Sequence, residues 1–409
     1  MHRRSGSKTL DILCRLKLDR RDAPTAITDR LPAEIWEHII SCCSTSDVFH
    51  LTLTCRRLNQ LAHDHLYRSV RNLTLTGLTN FLISSYFCDH NCLLVRTLSI
   101  RFEPQSTPLS SPFTRDEVLF CAKRFGLRKT LRVRRILQNR MSLLDAVLMK
   151  FKNLICLELH LPFVDCRNPA YLAGPYSFQL NTFRASFQLT LPVIRFLESQ
   201  SKTLTHFFFD FLYPGDFLFP SAAISNLVKG PLSQLTTLGW SGWPDMDTIR
   251  SLVKDSPCVH TVVVNLKKLP PNEKTSINSF LDLGECSERI THVQAIIGRR
   301  DACSAYLGPL STRFEEVEFL DLYIHGNLVK EILREIAMAI RQFKCLKHLA
   351  VRADTSTVYP CDIMEVVRVC FALVQTLGIV EIEHFAWWDT MSHRRFSRKE
   401  MDAGAYENL

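Results

Sequence analysis

The chain has 409 residues, 46% of them hydrophobic and 22% charged, with 50 basic residues against 41 acidic ones for a net charge of +9. That length suits two or three ordinary domains, or one small domain followed by a long repeat array, and the longest apolar runs, such as Phe207-Phe208-Phe209, are far too short to cross a membrane. The basic excess is modest, and its two clusters, at 123–140 and 394–399, lack the interleaved aromatics that base stacking needs, so no nucleic-acid partner is expected.

Residues 1–27 are basic and polar and read as a flexible N-terminus. No apolar stretch follows their charges, so no secretory signal is expected. The fifteen cysteines form an odd set at irregular spacing, which reads as reduced thiols in a cytoplasmic and/or nuclear chain.

Residues 28–70 read as three short helices. Pro32 suits a first helical turn, where its missing N–H has no partner to lose. Leu31, Ile35 and Ile39 then follow four apart, with Trp36 and Ile40 alongside, and only Glu34, Glu37 and His38 solvate that stripe. Ser44, Thr45 and Ser46 offer capping hydroxyls before a second helix that carries Asp47, Val48 and Leu51. A third begins near Cys55, with Arg56 and Arg57 outward and Leu58, Leu61, Ala62 and Leu66 inward. So small a bundle cannot cover its own apolar surface. Leu31-Pro32-x-Glu34-Ile35, then Ile39-Ile40, Asp47-x-x-x-Leu51 and Cys55-Arg56-Arg57-Leu58 resemble an F-box. Leu58 departs from the aromatic residue often found there. The resemblance implies binding to a Skp-type adaptor, and through it to a cullin–RING ubiquitin ligase. It implies Leu31, Pro32, Glu34, Ile35, Ile39 and Leu51 as the adaptor-binding residues. The competing reading is a helical cap on the domain that follows.

From residue 70 onward one pattern recurs: an apolar residue, two spacers, an apolar residue, one spacer, an apolar residue. Its middle positions are Leu73, Leu98, Leu157, Phe183, Phe207, Leu238, Val262, Val293, Leu320, Leu349 and Leu377. Apart from one insertion at 103–150, the spacing lies near or slightly above the period of about 20 to 29 residues of leucine-rich repeats, which the region resembles. Helix-length segments such as 327–341 and 361–371 lie between the motifs. The expected fold class is therefore α/β: a three-helix F-box, then at 71–389 an irregular leucine-rich-repeat-like solenoid with a parallel sheet on its concave face. A run of unrelated βα units in one open sheet would share the pattern. The insertion opens with Pro104 to Pro112, three prolines among hydroxyl residues, and reads as an exposed loop leading to one or two helices over 116–150. Thr107 and Ser111 precede prolines there. Trp387-Trp388 read as a cap, and 390–409 as a flexible tail.

Catalytic motifs are absent, and the expectation is a non-enzymatic protein without cofactor or metal. Cys88-Asp-His90-Asn-Cys92 is too small a set for zinc. What remains is surface. Spacer residues on each strand point away from the core. Among them His206, Phe208, Asp210, Phe319, Asp321 and Tyr323 combine aromatics with charge and are the expected substrate-binding residues. The sequence thus reads as a substrate-recognition subunit whose partners are the adaptor, the ligase and an unidentified protein substrate. The alternative is a leucine-rich-repeat scaffold with no ligase role.

Overall fold

The computed structural model describes residues 31–71, 73–102, 106–126, 128, 130–131, 138–162, 165, 169–186, 191–210, 232–241, 256–265, 290–298, 303–385 and 391–403. The readings for residues 1–27 and for Trp387-Trp388 lie outside them. The chain divides into two units, Met1–Ser69 and Val70–Leu409.

The first unit contains three helices, Ala33–Ser41, Thr45–Thr52 and Arg56–Arg68. Ser44 caps the second, accepting from the Asp47 backbone N–H at 3.2 Å. Ile40, Val48 and Ala62 form the core, with Cys43, Leu51, Leu61 and Leu66 packed against it. Trp36 and Leu58 are buried as well. Arg57 is not simply outward: its Nη2 donates to the Leu31 carbonyl at 2.9 Å.

The second unit is built on one open sheet of twelve strands in sequence order. They are β1 Ser69–Val70, β2 Thr97–Arg101, β3 Cys156–His160, β4 Thr182–Ala185, β5 His206–Asp210, β6 Thr237–Ser241, β7 Thr261–Asn265, β8 His292–Gly298, β9 Phe319–Leu328, β10 His348–Ser356, β11 Ile379–Phe385 and β12 Met391–Ser397. The pairs from β2 to β11 are parallel, and β12 is antiparallel to β11. The expected middle residues Leu98, Leu157, Phe183, Phe207, Leu238, Val262, Val293, Leu320 and Leu349 stand side by side in one register row, all buried. Each buried side chain of this size contributes about 1.5–3 kcal/mol relative to exposure. From β3 to β11 every strand begins alike: two successive backbone N–H groups converge on one carbonyl of the preceding segment. Asn181 and Thr182 share Ile155, Thr236 and Thr237 share Thr205, and Lys347 and His348 share Glu318. That shared carbonyl fixes the register, since a slip of one residue would turn the buried row toward water. At β4, the adjoining helix Leu191–Gln200 sets Phe196 edge-on to Phe183, with centroids 4.9 Å apart.

Four expectations change. Leu73 and Leu75 are not strand residues: Thr74 caps the Gly77 N–H at 3.1 Å, and Leu75–Phe87 is a helix. The last motif is shifted by three residues. Val380, not Leu377, pairs with Leu349, and Leu377 takes the position of Leu346 because Gly378 and Ile379 open the strand. The proline-rich loop is pinned rather than free: Leu109 is buried, and Asp165 accepts from the backbone N–H groups of Leu109 at 2.5 Å and Ser110 at 3.1 Å. The expected tail contains β12 and the helix Arg398–Asp402. Where one or two helices are expected after the loop, the described residues include the helices Arg115–Phe125 and Arg140–Leu148.

Candidate interaction surfaces

One face of the sheet is buried. On the other, most alternate strand residues remain half-buried or exposed, while Ser99, Thr237, Gly239 and Ala350 are buried. The six expected substrate residues lie on β5 and β9. His206 and Phe319 share a register row with Thr237, Thr261 and His292 between them, so four strand spacings separate the two groups, roughly 19 Å at about 4.8 Å per strand. The structure therefore resolves the six residues into two clusters.

On β5, His206 is exposed and Phe208 is half-buried, while Asp210 ends the strand and its side chain lies outside the described set. The Phe208 ring lies across Gly239 of β6: a Cβ built there would stand 2.2 Å from Phe208 Cδ1. Arg184 of β4 faces the same ring, with Cζ 5.7 Å from its centroid. The sequence pattern places Arg184 and Gly239 on the same face as Phe208 but does not single them out, because their contact depends on neighbours that meet only once the strands pair. On β9, Phe319 is exposed and stacks on His292 at 4.2 Å. Asp321 Oδ2 stands 3.4 Å from Arg352 Nη1. Burial, followed by the charges of Glu383 and Glu381, pushes the Asp321 carboxyl up against the opposing pull of Arg352 and His348. The Tyr323 hydroxyl donates to Asp354, and chiefly that bond pushes it up to about 12. Tyr323 is thus tethered within the sheet.

In the first unit Pro32 and Glu34 are exposed, Leu31 is half-buried and Leu51 packs partly into the core. Ile35 is 47% exposed, Ile39 38%, Phe49 52% and Leu53 69%. Four large apolar side chains thus stay exposed on this small bundle, more than its own core accounts for. Residues 28–72 match the F-box-like family model. F-box domains generally bind Skp-type adaptors, which suggests a role in ubiquitin ligase complexes of that type. No curated protein matches the chain. Within the F-box-like region, Phe49 and Leu53 were missed from sequence, although their spacing of four on and just beyond the second helix was a legible signal. Among the described residues, no group of three or more His, Cys, Asp or Glu side chains could hold a metal ion, and no helix is long and apolar enough to cross a membrane. Cys92, in the one compact cysteine–histidine group, is buried and donates to the Ser85 carbonyl at 3.1 Å.

Proposed function

We propose that this chain is a non-catalytic substrate-recognition subunit of a Skp–cullin–F-box type ubiquitin ligase, acting in the cytoplasm and/or nucleus. The F-box-like region holds the adaptor, and the sheet unit holds a protein substrate. The observation that carries the reading is the exposure of Ile35, Ile39, Phe49 and Leu53 within the matched region, since burial against an adaptor gives that apolar surface its use. The repeated strand entry, with two N–H groups on one carbonyl from β3 to β11, supports a leucine-rich-repeat-like solenoid whose half-exposed face presents substrate contacts. Ubiquitin transfer belongs to other subunits.

Co-precipitation of a Skp-type adaptor and a cullin tests this. Leu31→Ala with Pro32→Ala, and separately Phe49→Ala with Leu53→Ala, are expected to lose adaptor capture while circular dichroism stays unchanged. Retained capture in both pairs would leave the scaffold reading, a repeat protein without a ligase role, in its place.

A further inference from the structure

A row of rings runs along the starts of β5 to β9. His206, His292 and Phe319 occupy one register row, with Thr237 and Thr261 between them, and His260 stands one residue before Thr261. The His260 and His292 centroids are 5.6 Å apart, and His292 lies nearly parallel to Phe319, at 8°. Each imidazole has Nδ1 fixed by a threonine hydroxyl: Thr205 to His206 at 2.8 Å, Thr261 to His260 at 2.9 Å and Thr291 to His292 at 2.8 Å. At His206 the direction of that bond follows from chemistry. Thr205 gives its single hydroxyl hydrogen to the Asn181 carbonyl at 3.0 Å, so toward the ring it can only accept. Nδ1 therefore carries the proton, and Nε2 takes the second one without disturbing the Thr205 contact.

Among the described residues the charges around this row favour an anion. Arg184 stands on β4 beside β5, opposite Glu158 of β3 whose charge it also feels, and exposed Lys202 lies in the turn before His206. The residues on this face of β6, β7 and β8 that are described, Thr237 and Gly239, both buried, and Thr261, Val263, Asn265, His292, Gln294 and Ile296, include no carboxylate. Asp210 is at the far end of β5. Glu318, before Phe319, acts on His292 but is held by Lys347 at 2.5 Å. Asp321 of β9 lies two residues beyond Phe319, against Arg352. His348 of β10 extends the ring row, 5.5 Å from Phe319, but faces Glu381 at 3.4 Å and so falls outside the patch.

We infer that His206, His260 and His292 form a docking strip for an acidic peptide segment crossing the strand starts, and that the strip grips more tightly as the medium becomes more acidic. This deepens the proposed substrate role and names the chemistry of the substrate. Partial loss of hydration against the sheet, and next the charge of His260, holds His206 and His292 below the ordinary imidazole range, so at neutral pH they are uncharged and Lys202 supplies the attraction, with Arg184 divided between the strip and Glu158. Carboxylates laid against the rings stabilise the imidazolium form. Binding then takes up protons, and affinity rises as pH falls. Phe319 offers the apolar contact at the end of the strip.

The test is fluorescence anisotropy of a dye-labelled oligoglutamate peptide with the full chain. Affinity is expected to rise about tenfold from about pH 7.5 to about pH 5.8, a range in which glutamate stays ionised and imidazole does not stay neutral. The triple variant His206→Asn, His260→Asn, His292→Asn should lose that gain while its circular dichroism is unchanged. Should the triple variant fail to fold, each single variant is expected to lose part of the gain. A gain that persists without the histidines overturns the inference, as does equal binding of oligolysine or no binding at either pH. Adaptor capture by the same protein keeps the two ideas separate: peptide failure with capture intact rejects only the strip.

Discussion

Arg140 and Glu117 are almost wholly withdrawn from water, at 1% and 8% side-chain exposure, and they hold the insertion together. Arg140 Nε donates to Glu117 Oε1 at 2.9 Å, and its Nη2 donates to Oε2. The Thr114 N–H and the Thr79 hydroxyl donate to the same carboxylate at 2.8 and 3.0 Å. Burial alone would push Glu117 up, but bonds from Arg140, Thr114 and Thr79 outweigh it and keep the group below its usual range. With the folded value depressed, this contribution to stability is present above the unfolded glutamate value of about 4.3 and is lost as pH falls through the folded one. Arg140→Met should therefore destabilise the protein by about 3–5 kcal/mol in denaturant titration, because it strands a buried carboxylate. Glu117→Gln should flatten the stability slope on the acid side of about pH 4.3. At Gly239 the contact is with a ring. Gly239→Ala should cost about 1–3 kcal/mol by forcing Phe208 aside, and much less in a Phe208→Ala background. A cost equal in both backgrounds would place the strain in the backbone instead.

The element that most departs from expectation is the C-terminal one. β12 pairs along the whole length of β11, from Ile379 opposite Ser397 to Phe385 opposite Met391, and so covers an edge that would otherwise present unpaired backbone groups. Two arginines at and just beyond its end, Arg395 and Arg398, are structural. Arg395 Nε stands 3.3 Å from Glu381 Oε1. Arg398 closes the end of the helix Pro360–Leu373, donating to the carbonyls of Phe371 at 2.6 Å, Val374 at 2.7 Å and Leu377 at 2.8 Å. The Phe371 and Val374 carbonyls lie where the helix runs out of its own donors, and Leu377 follows in the turn to β11. Arg398→Ala is expected to raise amide hydrogen exchange across 360–385 and to lower stability by about 1.5–3 kcal/mol, the value of a bond from a charged donor. Exchange raised evenly over the whole sheet, with nothing local, would reject this assignment.

At the scale of the molecule, two units carry two surfaces. The first has a core of few side chains and several exposed large apolar residues, the surface on which the proposed adaptor contact rests. The second has long buried rows and a half-exposed face on which charges are mostly paired, as with Arg101 and Glu158 at 2.7 Å or Arg352 and Glu383 at 3.2 Å. The stretch from β6 to β8 breaks that pattern by carrying imidazoles and hydroxyls in place of paired ions. Recognition that can be tuned by a proton fits such a stretch better than it fits a lattice of salt bridges, where each added charge already has an opponent.

The sequence by itself determined which residues are buried along β2 to β10. A row such as Leu157, Leu238, Leu320 and Leu349 is set by apolar spacing, and burial follows directly from that spacing. It likewise determined the three helices of the F-box-like region, whose caps and stripes are local signals. Tertiary structure decided where the pattern stops. Leu73 and Leu377 satisfy the same apolar spacing as true strand residues, but a threonine cap at one site and the pairing of Ile379 with His348 at the other place them elsewhere. It also decided which open-face residues meet. His206, His292 and Phe319 come from strands far apart in the chain, and Phe208 lies over Gly239 from the next strand. Only parallel pairing in register brings such residues together, because the contacts run across the sheet and leave no trace in any one segment.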